Sequence, residues 1–202
     1  MSDNLLLGLL SSLTTLVVAL IGYFGKTWFD RQKLKGKQSF SNVVPRIHEV
    51  YTILNTLKRH TRAHRALILR AENNGARPKL GTELFTSVLY EAFDAPLKSV
   101  REYWYRQKCD EAYICILREL LKSHDGHIKV KTETLEPSIL KDLYEASHIE
   151  QSYIFQIAER EKTLLYLSLN LTEISELDPE ERDLVRSCVN QLQMLFRAND
   201  AL

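Results

Sequence analysis

Cysteine, proline and glycine are scarce in this chain of 202 residues: three Cys, five Pro and seven Gly. The three cysteines (Cys109, Cys115, Cys188) form no CxxC pair and suit no disulfide framework. They read as small buried apolar residues in a reducing compartment. So few Gly and Pro, with no low-complexity tract and no internal repeat, exclude a linker-like or fibrous chain. Catalytic signatures are missing too. There is no phosphate-cradling GxxxxGK[ST] loop, no GxGxxG, no HExxH and no GxSxG. Excess charge is also lacking, with 27 Lys and Arg against 26 Asp and Glu for a net charge of +1. The part beyond the N-terminal forty residues is mildly acidic. That balance excludes nucleic acid as the expected partner, because such binding rests on many phosphate-neutralising cations.

The chain does have one long apolar run. Asn4 to Gly25 carries no charge, and as a helix it would span ~33 Å, close to the hydrocarbon thickness of a bilayer. The start MSDN lacks the basic residues of a cleaved signal peptide. Tyr23, Phe24, Trp28 and Phe29 fall where an interfacial aromatic belt belongs. Lys26, Arg31, Lys33, Lys35 and Lys37 all lie on the C-terminal side. By the positive-inside rule they place the rest of the chain in the cytoplasm and the short N-terminus outside. The expectation is a single-pass anchor in the cell's inner (plasma) membrane over 1–25, a basic juxtamembrane linker over 26–41, and a cytoplasmic domain over 42–202. Within the apolar run, Gly8, Ser12, Thr15, Ala19 and Gly22 step by four and three. This puts small residues on one helix side, a pattern suited to helix association and so to a homo-oligomer.

Beyond the linker the periodicity is mixed. Val43, Ile47, Val50, Leu54 and Leu57 give a helical stripe over 42–60, with Asn42 as cap and Pro45 in the first turn. RALILRA (65–71) and LFTSVLYE (84–91) read as strands. Between them lies a long loop opening on Asn74-Gly75, a turn signal, with Glu72, Asn73 and Arg77 as a polar contact surface. Asp94 and Pro96 suggest the start of a helical region, and 97–123 reads as one broken helix or two successive ones. In HIKVKTE (127–133), Ile128, Val130 and Thr132 alternate with Lys129, Lys131 and Glu133, the pattern of a half-exposed strand. A short helix over 137–146 follows, opened by Pro137. Strands at 149–159 and 163–171 are joined by a tight hairpin through Arg160, Glu161 and Lys162. The last helix carries a capping box, with Asp178 as cap, Pro179 first and Glu181 third.

This order predicts an α+β domain, an antiparallel sheet of about five strands flanked by helices. The arrangement around RALILRAENNG, SVLYE, HIKVKTE and the YIFQIAE/LLYLSLNL hairpin resembles a GAF domain; a PAS-like sensor fold would give a similar order. The resemblance lies in the elements and not in signature residues. The Asn-Lys…Phe…Asp-Glu signature of cyclic-nucleotide-binding GAF domains is absent, no cysteine stands in a bilin-attachment context, and no functional residue carries over. The resemblance implies a ligand face under the helices of 97–123. Tyr103, Trp104 and Tyr113 are there the candidate pocket residues, since aromatics with polar tips suit such a site; the same residues also suit a core with an amphipathic rim. Glu91, Asp94, Glu102, Asp110 and Glu111 are dispersed and form no acid–base constellation. His124, Asp125 and His127 are too few for a zinc site. No cofactor and no metal are expected.

The resulting expectation is a membrane-anchored, non-enzymatic sensor or regulatory module working as a dimer, its ligand an unknown small molecule or protein. The alternative is a membrane effector of lysis or defence type, whose transmembrane helices oligomerise to perturb the bilayer under control of the soluble domain.

Overall fold

A computed structural model describes residues 40–197 of the chain. The apolar run, with Gly8, Ser12, Thr15, Ala19 and Gly22, and the basic linker lie outside the described residues. Among the described residues no helix is long and apolar enough to cross a membrane. The chain divides into two units, Met1–Val44 with Ala201–Leu202 and Pro45–Asp200; the architecture below is that of the second, with the first helix given at its full length.

Helix α1 (Phe40–His60) is followed by strands β1 (Arg65–Glu72) and β2 (Phe85–Phe93) and the very short β3 (Gln107–Lys108). Next come α2 (Glu111–Lys122), β4 (His127–Lys131), α3 (Ile139–Ala146), β5 (Gln151–Glu159), β6 (Thr163–Leu171) and α4 (Pro179–Arg197). The strands form one sheet of six in the order β3-β2-β1-β6-β5-β4, with every pairing antiparallel. The long central neighbours β1 and β6 pair in unbroken register from Arg65–Asn170 to Glu72–Thr163. Bulges flank them on both sides: Leu89 is the extra residue opposite Ile68 and Leu69, and Ile157 the extra one opposite Leu165 and Tyr166. Such bulges bend a strand and increase its twist.

Two apolar layers follow from the period-two alternation of the strands. On one face, Ile68, Leu165, Leu167 and Leu169 meet Val50, Leu54 and Leu57 of α1 and Val185, Cys188 and Leu192 of α4. On the other, Leu67, Leu69, Val88, Ile154 and Tyr166 meet Trp104, Tyr113, Ile116, Leu120, Leu140 and Tyr144. The first and last helices therefore share one face, while α2, α3 and the segment before α2 cover the other.

Local chemistry explains the ends. Asn74 and Gly75 both have positive φ (47° and 74°), as a tight reversal between antiparallel segments requires, and Ala76 N donates to Asn73 O at 2.7 Å. At α4 the capping box forms: Asp178 Oδ1 accepts from Glu181 N at 2.9 Å and Glu181 Oε2 accepts from Asp178 N at 2.9 Å. Glu181 Oε1 also accepts from Arg62 N at 3.0 Å, which ties the α1–β1 turn to the start of α4.

The sequence reading departs from the structure in several places: Asn42 lies inside α1 and does not cap it, and the strand expected over 127–133 ends at Lys131. The sheet has six strands, not five. Residues 94–106 are not helical: Asp94 holds Lys58 by an ion pair and turns back through Leu97 N on its own carbonyl. Only Glu111–Lys122 of the expected helices forms, capped by Asp110. The short helix starts at Ile139 with Ser138 as its cap, so Pro137 lies outside it.

Candidate functional site

Residues 97–106 form a strap along the outer edge of β2. Val88 N donates to Trp104 O at 3.2 Å, Arg106 N to Ser87 Oγ at 2.9 Å, and Cys109 N to Leu84 O at 2.8 Å. A buried carboxylate fastens its start: Glu91 accepts from Val100 N at 3.0 Å and from Ser99 Oγ at 2.5 Å. Arg65, beside Glu91, donates from Nη2 to Lys98 O at 2.7 Å. The strap is thus held by bonds to β1 and β2, most of them from side chains, rather than by a helical ladder.

The strap turns Trp104 inward and Tyr103 outward. Trp104 is 3% exposed, packed edge-on against Tyr113 and tilted against Tyr144, with ring centroids 6.1 and 6.3 Å away. Tyr103 is 71% exposed. Of the three candidate pocket residues, the structure brings Trp104 and Tyr113 together in the core and leaves Tyr103 at the surface.

Beneath these aromatics the sheet presents a polar floor. Tyr166 OH lies 2.6 Å from both Thr86 Oγ1 and Tyr113 OH. Next to it, Asn170 Oδ1 lies 2.6 Å from Ser152 Oγ and 2.7 Å from Ser168 Oγ, and the two serine oxygens are 2.8 Å apart, so these three polar atoms share two hydroxyl protons. Burial raises the pKa of Tyr113, Tyr144 and Tyr166 above the phenolic value, so all three stay neutral. Burial, with help from Asp110, pushes the Cys109 thiol up to about 12. Trp104 Nε1 is buried without a protein acceptor. Neutral hydroxyls locked to each other provide no ionised acid, base or nucleophile. The arrangement offers hydrogen bonds and aromatic surface, and its occupants are the protein's own side chains.

Sequence reasoning did not single out Thr86, Tyr144, Ser152, Tyr166, Ser168 or Asn170. One signal was available: within the apolar β6, Tyr166, Ser168 and Asn170 recur at period two, which places them on one face. The remaining candidates have structural partners or stand in solvent. Asp94 lies against Lys58 and, at 3.7 Å, His64 Nδ1. Glu102 and Glu111 are exposed. In the β1–β2 loop, Asn74 accepts from Arg106, Arg77 pairs with Glu161, and Asn73 Nδ2 reaches Arg77 O at 3.4 Å. His127 stacks on Phe155, with ring centroids 5.4 Å apart. Among the described residues no group of three His, Cys, Asp or Glu is placed to hold a metal ion.

Asp110 has a double role at the rim. Its Oδ1 accepts from Tyr113 N at 2.9 Å and caps α2, while its Oδ2 accepts from Ile139 N at 2.8 Å at the start of α3.

No protein-family model matches the chain, and no curated protein matches it in sequence. Solved structures do match in fold. A far-red cyanobacteriochrome photoreceptor is similar at 13% identity and a TM-score of 0.54, over 90% of this chain and 98% of that one. The GAF domain of a two-component sensor histidine kinase from Bacillus halodurans is similar at 10% identity and a TM-score of 0.52, over 80% of this chain and 96% of that one. A GAF domain/HD domain protein from Geobacter sulfurreducens is similar at 10% identity and 0.50, over 72% and 88%. The fold is therefore GAF-like. At these identities the likeness is one of fold alone.

Proposed function

We propose that this chain is a non-enzymatic regulatory module: a GAF-like domain held at the membrane by residues 1–25, facing the cytoplasm and working as a dimer through protein contacts. The observation that carries the protein-contact part is the filled sheet face. Trp104, Tyr113, Tyr144 and Tyr166 occupy the space under the strap and α2, each buried, and the hydroxyls of Tyr113 and Tyr166 are bonded within the protein. A face packed in this way favours a scaffold that passes on contacts over a small-molecule receptor. The uncharged run from Asn4 to Gly25 and the cations that follow it support the anchor. The small residues of that run support pairing.

The test is to express the full chain beside a version lacking residues 1–25, then follow fractionation, cross-linking in detergent and dye leakage from the cells. Membrane recovery of the full chain as a cross-linked dimer, without leakage, is expected. A freely soluble full chain, or a monomer in detergent, overturns the proposal. Leakage that depends on residues 1–25 replaces it with the membrane-effector reading.

A further inference from the structure

Strand β4 is one edge of the sheet, and its outward backbone groups are unevenly covered. Gln156 N donates to Gly126 O and Thr132 N to Glu150 O, so the even-numbered residues of β4 face β5. Residues 127, 129 and 131 then direct their N–H and C=O groups away from the sheet. The Ser123 hydroxyl takes both groups of His127, donating to its O at 2.7 Å and accepting from its N at 3.3 Å. Thr134 Oγ1 donates to Lys131 O at 3.0 Å. Both peptide groups of Lys129 and the N–H of Lys131 remain outward-facing beyond these plugs.

They open on a groove of about 680 Å³ between α2, β4 and the segment leading to α3. Ala112, Cys115, Ile116, Val130 and Leu135 give it an apolar floor. Asp110, Glu111, Glu119 and Glu136 line it as well. The last three are exposed, and among the described residues they have no cationic partner. Of the nearby cations, Lys129 pairs with Glu176, Lys131 with Glu133, and Lys141 donates to Leu135 O at 3.1 Å, so none of them pairs with the groove's carboxylates.

We propose that this groove is a docking site for an extended cationic segment of a partner protein. Its Lys or Arg residues face Glu111, Glu119 and Glu136, its small apolar residues cover the floor, and its main chain pairs with Lys129. The charge of the groove sets the sign of the partner and excludes anionic surfaces. The open backbone groups of Lys129 and Lys131 in the strand edge favour an extended segment over a helix, as in recognition by strand addition. Exposed acidic residues around a desolvated apolar strip provide steering and register. The site deepens the regulatory reading and rests on it for its use, but the binding itself requires neither the anchor nor the dimer.

The probe is a fluorescent peptide of alternating Lys and Val, about eight residues long, titrated into the full chain and followed by anisotropy. Saturable binding that weakens with added salt is expected, with no binding of the matching Glu–Val peptide. The double variant Glu119→Lys/Glu136→Lys, checked by circular dichroism and its thermal transition, is expected to weaken binding about tenfold or more. Hydrogen exchange at the Lys129 amide is expected to slow on binding. Equal affinity of the wild-type and double-variant proteins overturns the proposal. So does peptide binding that leaves the Lys129 amide unprotected, or failure to bind at low salt. Loss of peptide binding with the dimer intact separates this site from the regulatory reading; loss of the dimer with binding intact separates them in the other direction.

Discussion

Arg65 and Glu91 form an ion pair sealed inside the protein. Nε lies 3.3 Å from Oε1, off the axis of a hydrogen bond, and the two side chains are 4% and 5% exposed. Burial pulls the guanidinium below its ordinary pKa, and Glu91 opposes that shift. Leaving one such charge alone costs ~3–5 kcal/mol, whereas replacing both with apolar groups of similar volume costs far less. Glu91→Ala is expected to fall in that range by urea denaturation, and Arg65→Met/Glu91→Leu to recover much of the loss. The single variant also removes the acceptor of Val100 N, so amide exchange over 98–104 is expected to rise.

The Tyr166 hydroxyl sits between two others. Tyr166→Phe leaves Thr86 and Tyr113 buried without that partner, at an expected ~1–3 kcal/mol. Because the groups share one network, Tyr166→Phe combined with Thr86→Val is expected to cost less than the sum of the two single changes. A double-mutant cycle on the denaturation free energies reads the difference.

Thiol reactivity ranks the cysteines. Cys115 is half-buried, while Cys109 and Cys188 are buried and have thiol pKa values raised by desolvation. The thiolate is the reacting form. At pH 8 a disulfide reagent is expected to modify Cys115 first and the other two only on unfolding. Cys115→Ser then abolishes the fast phase.

At the C-terminal helix, Asp178→Ala removes one cap and is expected to cost ~1 kcal/mol. Glu181→Ala removes the reciprocal bond and the acceptor of Arg62 N together, so a larger loss is expected. The two thermal transitions compare them directly.

Outside the sheet, Glu176 is held below the usual carboxylate range, first by the hydrogen bond from Lys129 and then by that from Tyr153. A carboxylate depressed in the folded state stabilises the fold above its unfolded pKa. That contribution disappears as pH falls through the folded value. An NMR titration of the Glu176 side chain is expected to show a midpoint below the ordinary 4.5. In Lys129→Met the midpoint moves back up.

Regular elements with a clean period were legible in the sequence. The alternation of Ile128 and Val130 with Lys129 and Lys131 marked β4, Arg160 to Lys162 marked the last hairpin, and Asp178 with Glu181 marked the start of α4. The strap was not legible. Its Tyr, Trp and Val spacing imitates a helix, but what holds it is a carboxylate on another strand, a contact that no local pattern carries. A strand as short as β3 has no period to detect. The candidate site was half legible: the aromatics of 103–113 stood out by residue type. Which of them turned inward depended on the strap, and the polar floor was spread over β2, β5 and β6.

One carboxylate, that of Asp110, terminates two helices at once. The starts of α2 and α3 are thereby fastened to the same side chain above the aromatic layer, although Ser138 caps α3 as well. Asp110→Asn, which keeps one acceptor and loses the other, would free one helix start from that shared clasp.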